Sequence, residues 1–423
     1  MLSEAENEAL TRIGPGTPMG ALMRRYWHPV AGADEMRERW TKRITILGED
    51  LVLFRDRSGK FGLIAEQCPH RRASFAYGIP TENGIRCPYH GWKFDGTGRC
   101  LEQPNEPEGS AFKDKVTTPA YPVQAFAGLV WAYMGPLPAP LIPALDGLVA
   151  PRAIRMCGVT RVRSNWLQIQ ENSLDPVHTE WLHGHLYEFV LEKRGIKTST
   201  AFSRHHKKIG FDEFEYGIIK RRLMEGQSED ASDWTTGHPV LFPNVLAVSS
   251  GDSTFMHYLF QWRVPIDDTT TEHYWYSSYT FPEGTEIPQH LLDRVPLFPA
   301  PQRNATGEYD LEYVHGQDPM AWESQGPIAQ PHLEKLGSTD VGVIMLRQML
   351  QRELGKVQRG EDPMYVIRDP AKNVCIDLPK EMHKDMNDDG FESMVDRNIN
   401  VHSPFRDELI EVYRRSRRTP AFA

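Results

Sequence analysis

The sequence predicts an α+β protein with two units, a small all-β unit followed by a larger unit of helices and antiparallel strands. Short alternating apolar runs occupy residues 41–136, and the proline-rich stretch 135–140 follows them as a linker. A helical segment then begins near Trp166 and precedes several β-type runs, which lie at 210–222, 241–249, 254–264 and 272–281. With 423 residues, the chain is also too long for one ordinary core.

We expect three segments in chain order. Residues 1–40 predict an N-terminal helical segment, because they lack the period-two pattern that begins at Arg43. Residues 41–136 form the all-β unit, with short strands around turns such as Gly48-Glu49-Asp50. Residues 137–423 form the larger unit, which ends in a charged helical tail from about Asp340.

Composition excludes several classes of function. The net charge is −9 and the basic residues are scattered, which argues against a nucleic-acid-binding face. The N-terminal residues are acidic and no apolar run approaches the ~18 residues of a membrane span, so we expect neither a signal peptide nor a membrane anchor. The sequence has only 5 cysteines and fits a reducing, cytoplasmic setting.

Two short loops of the all-β unit carry metal-ligand residues. Cys68-Pro69-His70 and Cys87-Pro88-Tyr89-His90 each pair one cysteine with one histidine. A [2Fe–2S] cluster with two thiolates on one iron and two imidazoles on the other needs this set. Because each loop supplies one ligand of each kind, the order favours the cluster, and a tetrahedral zinc ion is the alternative. Proline after each cysteine favours a tight loop.

A second set of candidate metal ligands lies on the helical segment 165–184. Asp175 and His178 are three residues apart and are therefore neighbours on a helix face. His178 and His183 are five apart, about 140° around an ideal helix, so ligation by both requires a distorted helix. Pro176 and Gly184 favour such a distortion, and His185 is the rival ligand.

Two histidines and one carboxylate make the facial triad of O2-activating iron sites. Our candidate for the carboxylate is Asp340, at the start of an apolar helix, with Glu323 and Glu334 as alternatives. The adjacent Asp175 is better used to accept the outer N–H of a ligand histidine. Asn172 flanks the same helix and is a candidate for the reaction site.

The two sets together, in this order, resemble the catalytic α subunit of the Rieske non-heme iron aromatic-ring-hydroxylating oxygenases. The segments 12–20 and 321–326 resemble the phthalate dioxygenase-like branch. The resemblance implies a Rieske domain followed by a helix-grip catalytic domain. It also implies that a [2Fe–2S] cluster is held by the residues Cys68, His70, Cys87 and His90, and that mononuclear Fe(II) is held by His178, His183 and Asp340.

The resemblance further implies a terminal oxygenase that takes electrons from an NAD(P)H-linked reductase or ferredoxin. With O2 it would oxygenate an aromatic acid, by ring hydroxylation or by O-demethylation of a methoxylated aromatic acid. Asp175 would link His178 to His90 of a neighbouring subunit in a homotrimer or hexamer. The alternative function is a Rieske-type electron-transfer protein without oxygenase chemistry of its own.

The sequence leaves the substrate contacts open. An aromatic acid needs cationic or donor groups near the iron, and the segments 203–208 and 218–222 are candidates for them. The acidic segment 385–390 resembles the start of a calcium-binding loop, but a polar turn is the simpler interpretation.

Overall fold

The structure is a computed structural model that describes residues 2–252, 255–382 and 388–418. Strands alternate with short helices in the first third of the chain, and a large sheet with covering helices follows. The α+β fold class predicted from the sequence is therefore confirmed. The calcium-loop hypothesis concerns the segment 385–390, of which residues 385–387 lie outside the described residues.

The all-β unit contains three small antiparallel sheets, with the strand orders β1-β11-β10, β2-β3-β4-β9 and β5-β6-β7-β8. Their aromatic and β-branched residues form a buried cluster that includes Cys68 and Cys87. The two cysteine loops therefore project from a packed core. The strands are β1 Trp27–Gly32, β2 Thr41–Ile46, β3 Glu49–Arg55, β4 Phe61–Ala65, β5 Ile79–Thr81, β6 Gly84–Arg86, β7 Lys93–Phe94, β8 Cys100–Glu102, β9 Ala120–Tyr121, β10 Val123–Phe126 and β11 Leu129–Tyr133.

The larger unit is built on a ten-stranded sheet with the main order β13-β14-β15-β16-β18-β19-β12-β20, while β17 joins β18 to β21 at one side. Its longest pair is the antiparallel hairpin of β18 and β19. The strands are β12 Ile154–Val162, β13 His206–Phe214, β14 Gly217–Met224, β15 His238–Leu241, β16 Val245–Ala247, β17 Ser250–Asp252, β18 Phe255–Asp267, β19 Thr270–Thr280, β20 Leu297–Pro299 and β21 Glu381–Met382.

Helices pack on this sheet. The helix that begins at Trp166 is capped by Asn165, whose side-chain oxygen accepts a hydrogen bond from Leu167 N at 3.0 Å. The helices are α1 Glu4–Thr11, α2 Pro18–Met23, α3 Glu35–Glu38, α4 Asp146–Val149, α5 Trp166–Asn172, α6 Leu186–Glu192, α7 Ser232–Thr235, α8 Gln289–Asp293, α9 Val314–Ser324, α10 Val341–Gln358, α11 Asp388–Asp396 and α12 Arg406–Arg418, and a π-helix spans Thr179–His185.

Two segments differ from the sequence expectation. Residues 1–40 are not wholly helical, because β1 pairs with β11 over Trp27–Gly32. The predicted run 210–222 is two strands, β13 and β14, which turn at Glu215 and Tyr216. For β1 the extended conformation is stabilised by a partner strand, which a local pattern does not reveal. The second segment is extended as predicted, but the chain reverses direction between its two strands.

Candidate metal centres

The π-helix brings His178 and His183 onto one face. A π-helix has i→i+5 hydrogen bonds, so two residues five apart lie one turn apart. The rings of His178 and His183 have centroids 5.1 Å apart, and both residues are largely buried. Gly184 fits the tight packing here, since a Cβ at this position would be 2.6 Å from the backbone N of Ser203. The predicted distortion of the helix is therefore present.

Asp318 on helix α9 completes this group. A carboxylate oxygen of Asp318 is 3.2 Å from His183 Nε2, and the side chain is almost fully buried. One ligand atom from each of His178, His183 and Asp318 lies within 4.8 Å of the other two. Among the described residues, this is the one group in which three or more histidine, cysteine or carboxylate ligand atoms lie this close together, as a single ion requires. Two histidines and one carboxylate fit a facial triad for Fe(II).

Hydrogen bonds from the outer ring nitrogens orient both histidines. His183 Nδ1 donates to the side-chain oxygen of Gln317 at 2.7 Å. His178 Nδ1 donates to the backbone carbonyl of Asp175. Both rings then carry the proton on Nδ1 and present Nε2, with its lone pair, to the shared space.

The local charges are consistent with metal ligands. Burial and the neighbouring His183 lower the pKa of His178 to about 4, so this ring is neutral at physiological pH. Burial opposes the charge of His183, but Asp318 and Gln317 outweigh it and raise the pKa of His183. Burial acts against the charge of Asp318 as well, and His183 reverses that effect and lowers the pKa of Asp318. The carboxylate is therefore ionised and available to a cation.

The structure corrects the choice of Asp340 as the third ligand. Asp340 does not belong to the group of His178 and His183, and its carboxylate instead accepts a hydrogen bond from Gly337 N at 2.6 Å. It occupies the turn before helix α10, where a carboxylate satisfies a free backbone N–H. The position of Asp340 before an apolar helix suggested a metal ligand in the sequence, but in the structure this position serves to stabilise the start of the helix.

The two alternative carboxylates are also engaged elsewhere. Glu323 binds Arg303 at 2.9 Å and the Tyr309 hydroxyl at 2.6 Å. Glu334 binds Arg347 at 2.9 Å. The rival histidine, His185, is partly exposed and lies against Trp181. None of these residues belongs to the group formed by His178, His183 and Asp318.

Asp175 lies at the edge of the group with a partly exposed carboxylate. Its Oδ1 accepts hydrogen bonds from Val177 N at 3.0 Å and His178 N at 3.3 Å, and its Oδ2 is 3.8 Å from His178 Nδ1. The backbone carbonyl rather than the carboxylate therefore takes the closest position to the outer N–H of His178. Asn172 ends helix α5, and its half-buried side chain makes no hydrogen bond to another residue that the structure describes.

The two loops of the all-β unit meet as the sequence predicts. The imidazole rings of His70 and His90 have centroids 4.6 Å apart, and His70 stacks on Trp92 at 4.3 Å. Each loop closes with a backbone hydrogen bond at its cysteine, from Cys68 N to Ala73 O and from Cys87 N to Trp92 O. Gly91 has a φ of 77° and allows the second loop to turn back.

The donors of these loops fit a Rieske cluster. Both cysteines are free and buried, while His70 is exposed and His90 is half-buried. Burial raises the pKa of the Cys68 thiol to about 12, and the adjacent Cys87 thiol adds to the effect. A thiol of this kind needs a cation to ionise, which iron provides. The arrangement places thiolates inside and imidazoles at the surface.

These features define an iron–sulfur protein that also has a mononuclear metal centre. A model of the Rieske [2Fe-2S] domain matches residues 26–123. The 5,5'-dehydrodivanillate O-demethylase oxygenase subunit of Sphingobium sp. (strain NBRC 103272 / SYK-6) is 42% identical over 389 residues, which are 91% of this chain and 88% of that protein. The chain belongs to the Rieske non-heme iron oxygenases.

Other relatives show the breadth of the family. A tert-butanol monooxygenase / tert-amyl alcohol desaturase oxygenase subunit of Aquincola tertiaricarbonis is 36% identical, and the alignment spans 82% of this chain and 76% of that protein. The phthalate 4,5-dioxygenase oxygenase subunit of Pseudomonas putida is 31% identical, and the alignment spans 85% of this chain and 88% of that protein. The resemblance to the phthalate dioxygenase branch is thereby confirmed.

The fold is similar to that of a solved oxygenase. The terminal oxygenase of carbazole 1,9a-dioxygenase from Novosphingobium sp. KA1 superposes with a TM-score of 0.61 at 20% identity, over 84% of this chain and all but 1% of that one. This chain is accordingly an oxygenase component that carries a Rieske cluster and mononuclear iron and requires a reductase or ferredoxin partner. It is not a Rieske electron carrier alone.

In the described part of the chain, helices that are both long and apolar enough to span a membrane are absent.

Proposed function

We propose that this oxygenase O-demethylates a methoxylated aromatic acid. The observation that carries the proposal is the buried group of His178, His183 and Asp318, in a chain that matches an O-demethylase subunit over 91% of its length. One oxygen atom of O2 enters a methyl C–H bond, and the resulting hemiacetal collapses to a phenol and formaldehyde. The other oxygen atom leaves as water with two electrons and two protons from the donor protein.

Each metal has a residue set that would hold it. Cys68, His70, Cys87 and His90 would hold the cluster, and His178, His183 and Asp318 would hold the iron. When bound, the cluster supplies electrons and the mononuclear iron activates O2. The chain's own part is to fix the ring orientations through Gln317 and the Asp175 carbonyl, and to keep His178 neutral by burial.

A head-to-tail ring of subunits would bring the two centres together. Tyr89 beside His90 is 55% exposed, and Trp181 on the π-helix is 62% exposed. These aromatic side chains lie on different units. A contact between Tyr89 of one copy and Trp181 of the next would therefore be heterologous, and such contacts form a closed ring when the rotation between neighbouring copies permits it. A homotrimer, or a hexamer of two such rings, would put the partly exposed carboxylate of Asp175 between His178 and the partner copy's cluster loops.

The cysteines support a cytoplasmic location. All five are free in the structure, and Cys100 and Cys157 are buried without a partner cysteine. Such thiols persist in a reducing compartment.

Formaldehyde release tests the proposed reaction. The holoenzyme, an NADH-linked reductase and O2 are incubated with 5,5'-dehydrodivanillate, 3-methoxybenzoate, phthalate and 3-chlorobenzoate in separate reactions. We expect about one formaldehyde per O2 consumed with the methoxylated acids. Ring hydroxylation is the second candidate, which the phthalate 4,5-dioxygenase relative supports. Hydroxylated phthalate without formaldehyde from any methoxylated acid would favour it and reject the O-demethylase proposal.

A further inference from the structure

Strand β14 directs two cations towards the iron-binding group. Side chains two residues apart lie on the same face of a strand, so Lys220 and Arg222 share one face and Arg221 takes the other. Arg222 reaches the π-helix, where its Nη1 is 3.5 Å from the hydroxyl of Thr179, the residue after His178. Arg221 instead binds Asp212 at 2.7 Å and carbonyl groups of the segment 234–236. Lys220 therefore faces the same side as the metal group.

The neighbours of Lys220 confirm this position. Lys220 pairs with Phe211 on β13 and with His238 on β15. Phe211 packs closely under the start of helix α10 and the segment that leads to His178, since a Cβ added to Gly342 would be 2.4 Å from the Phe211 ring and 2.7 Å from the Leu174 carbonyl. The chain that carries Asp175 and His178 thus covers the face from which Lys220 projects.

Lys220 is buried without an anionic partner. It is only 5% exposed, and its Nζ forms no hydrogen bond or ion pair with any residue in the described ranges 2–252, 255–382 and 388–418. Glu381, whose charge reaches Lys220, forms its close ion pair with His238 at 2.7 Å. Burial of the ammonium, helped by the charge of Arg222, lowers the pKa of Lys220 to about 7. Buried charges are normally paired, so this position calls for an anion.

A second buried cation lies close by. Arg263 on β18 is 1% exposed, and its guanidinium donates to the backbone and side-chain oxygens of Gln261, both at 2.9 Å. Its positive charge acts on Asp318 and on Lys220. The described structure shows no ion pair from Arg263 to a carboxylate. Gln261 holds the guanidinium in place without neutralising it, and Asp318 is the carboxylate whose charge reaches Arg263.

We infer that Lys220 is the anchor for a carboxylate of the substrate, with Arg263 contributing positive charge from strand β18 of the same sheet. The inference rests on the proposed function and specifies its substrate class as aromatic carboxylates. A bound carboxylate would accept hydrogen bonds from the Lys220 ammonium and supply the anion that the chain lacks at this position. The ring attached to it would then be held beside His178 and Asp318, in a fixed direction relative to the anchor.

Equilibrium binding tests the anchor without catalysis. The oxidised holoenzyme is titrated calorimetrically, without reductase, with 5,5'-dehydrodivanillate and with its neutral dimethyl ester. We expect wild type to prefer the acid, and Lys220→Met to weaken acid binding about 100-fold while leaving ester binding within about twofold. Lys220→Arg retains the charge, so we expect acid binding within about tenfold of wild type. Lys372→Met, at an exposed position outside both candidate segments, is the matched control and should change the binding of neither ligand.

The outcomes separate the anchor from the reaction. If wild type does not prefer the acid, or if Lys220→Met retains that preference, the anchor is wrong even when formaldehyde is formed. If the preference depends on Lys220 but no formaldehyde appears, the anchor stands and the O-demethylase proposal fails. Visible absorption of the cluster and the iron content of each variant verify that Lys220→Met is folded and loaded.

Discussion

The side-chain oxygen of Gln317 accepts a hydrogen bond from His183 Nδ1 at 2.7 Å. The amide nitrogen of Gln317 donates to the Leu311 carbonyl at 2.7 Å, which fixes the direction of the side chain. Because the oxygen faces the ring, His183 must carry its proton on Nδ1 and keep Nε2 free beside Asp318. One glutamine thus determines both the tautomer and the orientation of a proposed iron ligand.

Replacing Gln317 with alanine should weaken iron binding. We expect Gln317→Ala to lower the affinity for mononuclear iron, and with it turnover, about 10- to 100-fold, because outer partners of ligand histidines typically have effects of this size. Iron analysis after dialysis against a chelator measures the loss. Gln325→Ala, at the exposed end of the same helix, is the control and should retain its iron. Equal iron retention in the two variants would contradict the role of Gln317.

Asp318 and Asp340 can be compared directly as the third ligand. Wild type should contain about three iron atoms per chain, two in the cluster and one in the mononuclear site. We expect Asp318→Asn to contain about two, with an unchanged cluster spectrum and turnover lower by at least about 100-fold. Asp340→Asn should retain about three, because its carboxylate binds Gly337 N. Loss of the third iron from Asp340→Asn and not from Asp318→Asn would reverse the assignment.

The sequence predicts the local parts of both centres. The cysteine and histidine of each loop lie within a few residues, and His178 and His183 lie on one continuous helical segment, so spacing makes them candidates but leaves His185 as the rival of His183. The π-helix could be expected only as a distortion, since no residue pattern specifies i→i+5 bonding. Gly184 and Pro176 were the available signals for it.

Asp318 was missed because its contact with His183 is long-range. Helix α9 comes more than a hundred residues after the π-helix, and only the tertiary packing of the two brings Asp318 to His183. A usable signal was present, since Gln317 and Asp318 lie only a few residues before the segment 321–326 that resembles the phthalate branch. Strand β1 was missed for a similar reason, because its extended conformation depends on pairing with β11.

Buried His28 should make the protein sensitive to acid. Its ring is fully buried, Nε2 lies 2.9 Å from the Met23 carbonyl, and burial lowers its pKa to about 4. The unfolded chain binds this proton below pH ~6.5. The stability contribution is therefore fully present above that pH and is lost as the pH falls towards about 4, which amounts to ~2 kcal/mol at pH 5.

The midpoint of thermal unfolding at pH 7 and pH 5 measures this effect. We expect His28→Gln to be less stable than wild type at pH 7 but to lose less on acidification, since glutamine can donate to the Met23 carbonyl without titrating. The exposed His290→Gln should show the wild-type pH dependence. An identical loss in His28→Gln and wild type would show that other groups cause the acid sensitivity.

Asp175 should affect turnover without affecting metal content. Asparagine retains the side-chain oxygen that accepts hydrogen bonds from Val177 N and His178 N, so Asp175→Asn should fold and load both metals. It removes the charge that we propose lies between His178 and the neighbouring subunit's cluster. We expect turnover to fall at least about 10- to 100-fold at an unchanged iron content and cluster spectrum. Turnover close to that of wild type would reject the bridging role.

The Lys220 anchor predicts how substrate binding depends on pH. The free enzyme loses the Lys220 proton near pH 7, and a bound carboxylate stabilises the protonated form, so binding above this pH requires proton uptake. The charged or titratable groups that interact with Lys220 from the surrounding elements are Asp175, His178, Arg222, His238, Arg263 and Glu381. We expect the Kd of wild type for 5,5'-dehydrodivanillate to rise about tenfold per pH unit above pH ~7.

Lys220→Arg separates this effect from other titrations. Its guanidinium stays charged throughout, so the Kd of this variant should be nearly constant between pH 6.5 and 9. The neutral dimethyl ester should bind wild type with little pH dependence over the same range. If the Kd of Lys220→Arg for the acid rises with pH as steeply as that of wild type, the proton belongs to another group, and the carboxylate does not bind at Lys220.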